Sequence, residues 1–329
     1  MNVRRLALVV VLLLPVLAAC STTRPGTGDS SVSLALDWYP NSDHAGLYMA
    51  KEHGYFAAQG LNVNMYTPSN PDDVLQLVGT GKATFGVSYE PDLLLARAQG
   101  VPVVSIAALV QHPLNSVISL KSSGITRPSQ LAGKKVGTPG LAGDEAMLAT
   151  MMAKDGGSLS QLQLVNVGFN LVPALVSKKV DAIIGGYWSH EAILVAQQGD
   201  PVNVMHVENW GVPDYYELVL VASESTVKNQ PQLVQRMVNA VVQGYAAAIS
   251  NPTAALDAVQ KNYPEMDRKM ETVAIQDLVP LFKGNQPKPG WQTADRWQNY
   301  EQWMVQHKLL TKPIDASAAF TNRFVAAAP

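Results

Sequence analysis

Residues 37–44 carry side-chain types that can bind a flat, polar small molecule. The indole of Trp38 can stack on a ring, while the carboxylate of Asp37 and the amide of Asn41 can hydrogen-bond to its edge. We expect a helix to begin near His44, and its first turn would add unpaired N–H groups and the positive end of the helix dipole. The segment is therefore a candidate wall of a ligand pocket. The alternative is an ordinary strand-to-helix connection in which Asn41 or one of the two following residues only caps the helix.

Aromatic, acidic and glycine residues also follow three later strand-like segments. The candidate ligand-binding residues in these places are Tyr89 and Glu90, then Thr138 and Gly140, then Tyr187, Trp188 and Glu191. Ligands of open α/β sheets bind at the carboxyl ends of the strands, so we expect these residues to meet residues 37–44 in one cleft. A carboxylate beside aromatic walls needs a hydrogen-bonding partner, and a ligand with N–H donors would supply it.

Each of these assignments has a structural alternative. Trp38 and Trp188 could fill the cores of their lobes, His44 could be a surface or capping residue, and Glu191 could be a solvated residue in the first turn of a helix. The glycine-rich residues 137–143 could form a simple tight turn. They lack the Gly-Lys-Ser/Thr ending of a phosphate-binding loop.

Other kinds of site have little support in the sequence. The six histidines are scattered, with no pair at metal-ligand spacing on one helix, and the chain has a single cysteine. We therefore expect no metal site and no cofactor. The chain also lacks a Gly-x-Ser-x-Gly elbow, and no Ser-His-Asp set stands out, which argues against a secreted hydrolase.

The N-terminus has the pattern of a bacterial export signal. Arg4 and Arg5 precede an apolar run from Leu6 to Ala19 that is too short to span a membrane, and Cys20 follows small residues. We interpret residues 1–19 as a signal peptide, Cys20 as a lipidation site and residues 20–31 as a flexible tether. The protein would then be anchored to the outer face of the cell membrane. The alternative is an ordinary signal peptide, cleaved near Ala19, that leaves a free thiol.

Length and charge narrow the class of protein further. The chain has 329 residues and a net charge of −2, which becomes −4 when the two arginines of the signal peptide are removed. An acidic balance of this kind argues against nucleic acid as a partner. About 300 mature residues are enough for two lobes, each with its own core.

The order of apolar segments predicts an α/β fold of two lobes joined by a two-strand hinge. Short strands and helices alternate from Leu34 to Val110 and again from Leu131 onward, and the chain becomes helical from Pro231. Such alternation indicates parallel sheets covered by helices. We expect residues 32–118 and 219–329 to form lobe 1, with the helical tail covering it, and residues 119–218 to form lobe 2. This arrangement resembles the type II periplasmic-binding-protein fold.

Four dispersed motifs carry a resemblance to a known family. They occupy residues 36–63, 68–90, 123–140 and 181–193. In these motifs the chain is similar to extracytoplasmic proteins that bind pyrimidine precursors of thiamine and carry an NMT1/THI5-like domain. The resemblance implies that an aminopyrimidine binds between the lobes, with Glu191 contacting its ring. It also implies an ABC permease and its ATPase as partners. A riboflavin-like or other heterocycle, a sulfonate or a nitrate stay open as other ligands.

The same family includes the fungal pyrimidine synthases, so the resemblance raises an enzymatic alternative. Ser88 stands where the synthases carry their cofactor-bearing lysine, and Asp92 stands where they carry a reactive histidine. Their cysteine-rich iron-binding segment has no counterpart, because residues 209–222 contain no cysteine. Since a Schiff base needs a lysine amine, we expect a binding protein without catalytic residues, and we expect a monomer.

Overall fold

The computed structural model describes residues 30–310 and 313–329. The expected signal peptide and Cys20 lie outside the described residues, as does the expected tether up to residue 29. The last two residues of that tether belong to the fold instead, because Ser30 and Ser31 already pair with Leu61 and Asn62 in a sheet. Within the described ranges, no helix is long and apolar enough to cross a membrane.

Ten strands are present in the described part of the chain. They are β1 (Ser30–Ala35), β2 (Leu61–Tyr66), β3 (Phe85–Ser88), β4 (Val103–Val110), β5 (Asn115–Leu120), β6 (Lys135–Thr138), β7 (Gln163–Asn166), β8 (Ala182–Tyr187), β9 (Val202–His206) and β10 (Leu218–Ser223).

Thirteen α-helices are present in the same residues, together with several short 3-10 turns. They are α1 (Ala45–Glu52), α2 (Tyr55–Ala58), α3 (Val74–Gly79), α4 (Glu90–Ala98), α5 (Ala142–Lys154), α6 (Leu171–Val176), α7 (Glu191–Gln197), α8 (Glu224–Asn229), α9 (Pro231–Ser250), α10 (Pro252–Asn262), α11 (Arg268–Lys283), α12 (Ala294–Gln306) and α13 (Arg323–Ala327).

The strands form two five-stranded mixed sheets, one in each lobe. The first sheet has the order β2-β1-β3-β10-β4 and the second has the order β7-β6-β8-β5-β9. In the first sheet β1 runs parallel to β2 and β3, while β10 returns antiparallel between β3 and β4. Strands β4 and β10 are buried along their whole length, as expected of strands covered by helices on both faces. The predicted α/β fold with two lobes is confirmed.

The chain passes between the lobes slightly earlier than the sequence suggested. Residues 115–120 pair with β8 and β9 of the second sheet, so the first crossing lies at residues 111–114 and not at residue 118. The apolar pattern identifies this strand, but its sheet is decided by partners that lie more than 60 residues further on. The second crossing lies between β9 and β10. Glu217 joins the two crossings, because its Oε2 accepts hydrogen bonds from the backbone N–H groups of Leu114 (2.6 Å) and Asn115 (2.9 Å).

The C-terminal helices pack on the first lobe, as the sequence indicates. Helix α9 lies against α1, where two glycines allow a close approach of the backbones. A Cβ atom at Gly244 would lie only 2.1 Å from the carbonyl oxygen of Gly46, and a Cβ at Gly46 would lie 2.2 Å from the ring of Tyr245. The Tyr245 hydroxyl donates to the carbonyl oxygen of Asp43 at 2.9 Å, which fixes the start of α1 beside the cleft.

Candidate ligand-binding site

A cleft between the two lobes collects residues from the carboxyl ends of strands in both sheets. The free space between its walls is about 460 Å³ when the part open to solvent is included. Its lining residues are Asp37, Trp38, Asn41, Tyr89 and Asp92 from the first lobe, Glu217 from the second crossing, and Asn115, Pro139, Leu141, Asp144, Met147, Gly185, Tyr187 and Glu191 from the second lobe. Strands β1, β3, β6 and β8 each end at this cleft, which is the usual position of a ligand in open α/β sheets.

Asp37 is the organising carboxylate of the first-lobe wall. It is only 2% exposed, and both of its oxygens have partners. Its Oδ1 lies 2.9 Å from Nε2 of His44, and its Oδ2 accepts a hydrogen bond from the Tyr89 hydroxyl at 2.9 Å. Burial and the Asp37 charge raise the pKa of Tyr89 well above its ordinary value, so this phenol stays a donor. His44 therefore orients Asp37 from behind and does not line the cleft.

Asn41 combines the two roles that the sequence left open. Its Oδ1 accepts a hydrogen bond from the backbone N–H of Asp43 at 2.8 Å and so caps a 3-10 turn over Ser42–His44. The residue also lines the cleft. Capping fixes the loop whose other face the ligand would meet.

Trp38 reaches across the cleft and contacts the second lobe. Its ring centre lies 4.6 Å from that of Phe169, with the planes at 62°, an edge-to-face arrangement. The indole does not fill the core of its own lobe: it packs, partly buried, against the apolar cluster of the second lobe. The contacts of Trp38 therefore depend on the relative position of the two lobes.

Glu191, at the start of α7, is held by two hydrogen bonds at the second-lobe wall. Its Oε2 accepts from the backbone N–H of Tyr187 at 2.9 Å, and its Oε1 lies 3.0 Å from Nδ1 of His190. Burial alone would raise the pKa of Glu191, but the imidazolium beside it and the backbone donor lower that pKa. Glu191 is therefore a carboxylate, not a neutral acid, and it is not a solvated residue, since it is buried.

His190 connects Glu191 to the first lobe. Its Nε2 lies 3.0 Å from Oε1 of Glu271 on α11, and the other oxygen of Glu271 accepts from the backbone N–H of Ser42 at 2.9 Å. Burial would lower the pKa of His190, but Glu191 and Glu271 outweigh it and hold that pKa well above its ordinary value. A charged histidine between two carboxylates thus links the two walls of the cleft.

Besides His44, four expected ligand contacts lie away from the cleft lining. Glu90 begins α4 and turns its Oε2 toward the backbone N–H of Tyr216 at 2.7 Å, where burial raises its pKa to about 8. The Trp188 indole donates to the carbonyl oxygen of Pro113 at 3.2 Å, beside the first crossing. Thr138 uses its hydroxyl to accept from the backbone N–H of Gly140 at 2.9 Å, so these residues form the tight turn considered as an alternative.

Reasoning from strand ends missed several polar residues at the hinge end of the cleft. These are Asp92 on α4, Asp144 on α5, Asn115 at the start of β5 and Glu217 in the second crossing. Asp92 accepts from the backbone N–H of Gly143 at 3.0 Å, which joins α4 of one lobe to α5 of the other. Burial raises the pKa of Asp92 to about 6 and that of Glu217 to about 7. Both Asp residues lie in the first turn of a helix that follows a strand ending at the cleft, as Glu191 does, so a search that included every acidic residue of these first turns would have found them.

The acidic residues of the site do not form a metal centre. Among residues 30–310 and 313–329, no group of three or more His, Cys, Asp and Glu side chains is arranged to hold a metal ion.

Comparison with known proteins now identifies the family. Residues 41–255, well over half of the chain, match the protein family described as NMT1/THI5 like. The chain belongs to the NMT1/THI5-like family.

Two relatives of the chain have names that describe different functions, one a binding protein and the other a synthase. The chain is 35% identical to a formylaminopyrimidine-binding protein of Halalkalibacterium halodurans over 312 residues, covering 93% of this chain and 94% of that one. It is 27% identical to a 4-amino-5-hydroxymethyl-2-methylpyrimidine phosphate synthase of Legionella pneumophila, covering 91% and 94%.

A solved structure supports the fold assignment. The alkanesulfonate-binding protein of Xanthomonas axonopodis pv. citri superposes with a TM-score of 0.72 at 12% identity, covering 89% of this chain and 99% of that one. At this identity the likeness concerns the fold alone. The NMT1/THI5-like chain thus has the two-lobed α/β fold of periplasmic binding proteins.

Proposed function

We propose that this protein is an extracytoplasmic solute-binding protein that captures a thiamine-precursor aminopyrimidine in the interlobe cleft. The hydroxymethyl and formylaminomethyl forms of the pyrimidine are the ligands that we favour. The named ligand of the 35% identical relative supports this choice, because that relative matches nearly the whole chain. An ABC permease and its ATPase would receive the ligand.

The observation that carries the proposal is the chemistry of the cleft lining. It contains five carboxyl groups, from Asp37, Asp92, Asp144, Glu191 and Glu217, beside the rings of three aromatic residues. Among the described residues that line it, none is Lys or Arg. A sulfonate or nitrate needs cationic or many N–H donors, whereas an aminopyrimidine offers N–H donors to carboxylates and a flat face to aromatic rings.

Glu191 is the carboxylate that we assign to the amino group of the pyrimidine, and to the adjacent ring nitrogen when that nitrogen is protonated and donates its N–H, because an ionised carboxylate only accepts. Its two oxygens each hold one partner, and a carboxylate has about four acceptor positions, so both can accept from a ligand as well. Trp38 supplies the stacking surface. Binding then favours closure, because the ligand contacts both lobes only when they are together, and this differential affinity shifts the hinge equilibrium.

The alternative function is catalysis, because one relative is named as a synthase. Ser88, where the resemblance places the cofactor-bearing lysine, lies buried at the end of β3, and Asp92 is engaged with the Gly143 backbone. Neither side chain can form a Schiff base. We therefore propose that the protein binds its ligand without converting it. We also propose that the chain is exported, that it is anchored by a lipid on Cys20 and that it is a monomer.

A thermal-unfolding panel on the purified protein tests the ligand class. A compound that binds only the folded state raises the melting temperature in proportion to the logarithm of its concentration above Kd. The panel contains the two aminopyrimidines, thiamine, riboflavin, taurine and nitrate. Stabilisation by an aminopyrimidine and none by the anions supports the proposal. Stabilisation by an anion or riboflavin alone overturns the ligand, and conversion of the pyrimidine during incubation overturns the assignment as a binding protein.

A further inference from the structure

Asp144, at the hinge end of the cleft, is a buried carboxyl group in which one oxygen has no hydrogen-bond partner among the described residues. We call Asp144, Asn115 and Glu217 the hinge pole, to distinguish them from Glu191 at the other wall. Asp144 is 3% exposed, and its Oδ1 accepts from Nδ2 of Asn115 at 2.5 Å. Its Oδ2 is buried and has no hydrogen-bond partner among the described residues. Since buried polar atoms are nearly always satisfied, this oxygen calls for a partner that binds in the cleft.

The absence of a side chain at residue 185 makes room for this oxygen. Gly185 has φ +85°, and a Cβ atom there would lie 2.7 Å from Oδ2 of Asp144 and 2.8 Å from the ring of Pro139. Asn115 fixes the arrangement, because its Oδ1 accepts from the backbone N–H of Gly185 at 3.1 Å and its own backbone N–H donates to Glu217. The carboxyl group is thus held in place by both a strand of the second lobe and the crossing between lobes.

The charges around Asp144 are all negative. Asp92 faces it from α4, Glu217 from the second crossing and Glu145 from its own helix, and the phenols of Tyr89 and Tyr215 are also near. Burial first, and then these carboxylates, raise the pKa of Asp144 well above its ordinary value. This shift favours the neutral acid, which has one O–H donor and remaining acceptor positions. The two ends of the cleft differ in kind, since Glu191 is ionised and only accepts.

We propose that Asp144 is a specificity-determining residue that binds a neutral ligand group able to donate and accept at once, such as a primary alcohol or a formamide. Resting on the proposed function, this assigns Asp144 to the hydroxymethyl or formylaminomethyl substituent, while Glu191 takes the amino edge of the ring. The hinge pole then selects precursors that carry this substituent over pyrimidines that lack it.

Calorimetric titration with two matched ligands tests the assignment. One is 4-amino-5-hydroxymethyl-2-methylpyrimidine and the other is 4-amino-2,5-dimethylpyrimidine, which lacks only the hydroxyl. Wild type should prefer the hydroxymethyl compound by about tenfold or more, since an unpaired buried polar group penalises the analogue. Asp144→Leu should remove the preference by weakening that compound alone. Asp144→Asn should keep most of it, because an amide also donates and accepts. Glu208→Gln, an exposed acidic residue of the same lobe, is the control and should match wild type.

The pH profile gives a second readout that does not need the leucine variant to fold. As pH rises through the pKa of Asp144 the O–H donor is lost and a charged acceptor takes its place, so the wild-type preference should change with pH, whereas the preference of Asp144→Asn should stay constant. An unchanged preference in Asp144→Leu, or a parallel pH profile in wild type and Asp144→Asn, overturns the assignment while leaving the pyrimidine function standing. Failure of wild type to bind either compound overturns both.

Discussion

His190 of the second lobe lies 3.0 Å from Glu271 of the first lobe, and its opposite ring nitrogen lies 3.0 Å from Glu191. One imidazole therefore links the carboxylate that we assign to the ligand with a helix of the facing lobe. Glu271 in turn accepts from the backbone N–H of Ser42, beside the first-lobe wall. Ligand recognition and lobe closure share this chain of contacts, so a change in one should be visible in the other.

Glu191→Gln should weaken aminopyrimidine binding by at least about tenfold, because an amide offers one acceptor oxygen where the carboxylate offered two charged ones. The loss should appear in Kd from calorimetry, and the melting temperature of the ligand-free protein should fall as well, because the buried ion pair with His190 is lost. Glu208→Gln, an exposed acidic residue of the same lobe, is the matched control. Unchanged affinity in Glu191→Gln would remove Glu191 from the site.

Replacing His190 should make stability depend less on pH. The folded-state pKa of His190 is raised, so its contribution is fully present below the unfolded value of about 6.5 and is lost as pH rises through the folded value. The lowered pKa of Glu191 works in the other direction, with stability present above about pH 4.3 and lost as pH falls through its folded value. Thermal unfolding of wild type and His190→Asn across pH measures both limbs. The difference between the proteins should be largest between about pH 4.3 and about pH 6.5 and should shrink as pH rises further or falls below this window; a constant difference contradicts the ion-pair account.

Trp38→Ala should reduce aminopyrimidine affinity by about tenfold or more while leaving the first lobe folded, since stacking adds about 0.5–1.5 kcal/mol beyond area burial. The same change removes the contact with Phe169 across the cleft. Small-angle scattering of the ligand-free variant should accordingly show a more open molecule. Trp188→Phe, whose ring lies away from the cleft lining, is expected to keep wild-type affinity, and a larger loss there than in Trp38→Ala would reverse the two assignments.

Gly244→Ala should destabilise the first lobe by about 3 kcal/mol or more, because overpacking of a tight contact forces backbone shifts. A methyl group there would lie 2.1 Å from the Gly46 carbonyl oxygen and would separate α9 from α1. Denaturant unfolding measures the change. Ala246→Ser on the exposed face of α9 is the control, expected within about 0.5 kcal/mol of wild type. Equal stability of both variants would mean that the helices do not approach this closely.

Local sequence pattern accounts for much of the fold. The bounds of β2, β4 and β6 match the strands predicted from the sequence, and the helical stripe of α9 is long enough to be unambiguous. The sheet that β5 joins is a different matter. Its own residues look the same for either sheet, and the choice depends on pairing with β8 and β9, which pattern along the chain does not encode.

The sequence predicts the site residues that lie at strand ends. It does not predict residues whose place in the site depends on the direction of the side chain. Asp37, Trp38, Tyr187 and Glu191 line the cleft because each sits at a strand's end or the first turn after it. Glu90 also begins a helix, yet the Tyr216 backbone draws its carboxylate to the other side. Asp144 lies in the first turn of α5, and its surroundings come from Asn115 and from Asp92 of the other lobe, which are distant in the sequence and which no local pattern reveals.

Isothermal titration of the purified wild-type protein with 4-amino-5-hydroxymethyl-2-methylpyrimidine and its formylaminomethyl counterpart tests the central claim most directly. The acidic and aromatic cleft predicts one-to-one binding of at least one of them, with an affinity that falls in Glu191→Gln. Absence of heat for both compounds, with binding of an alkanesulfonate or nitrate instead, would contradict the account.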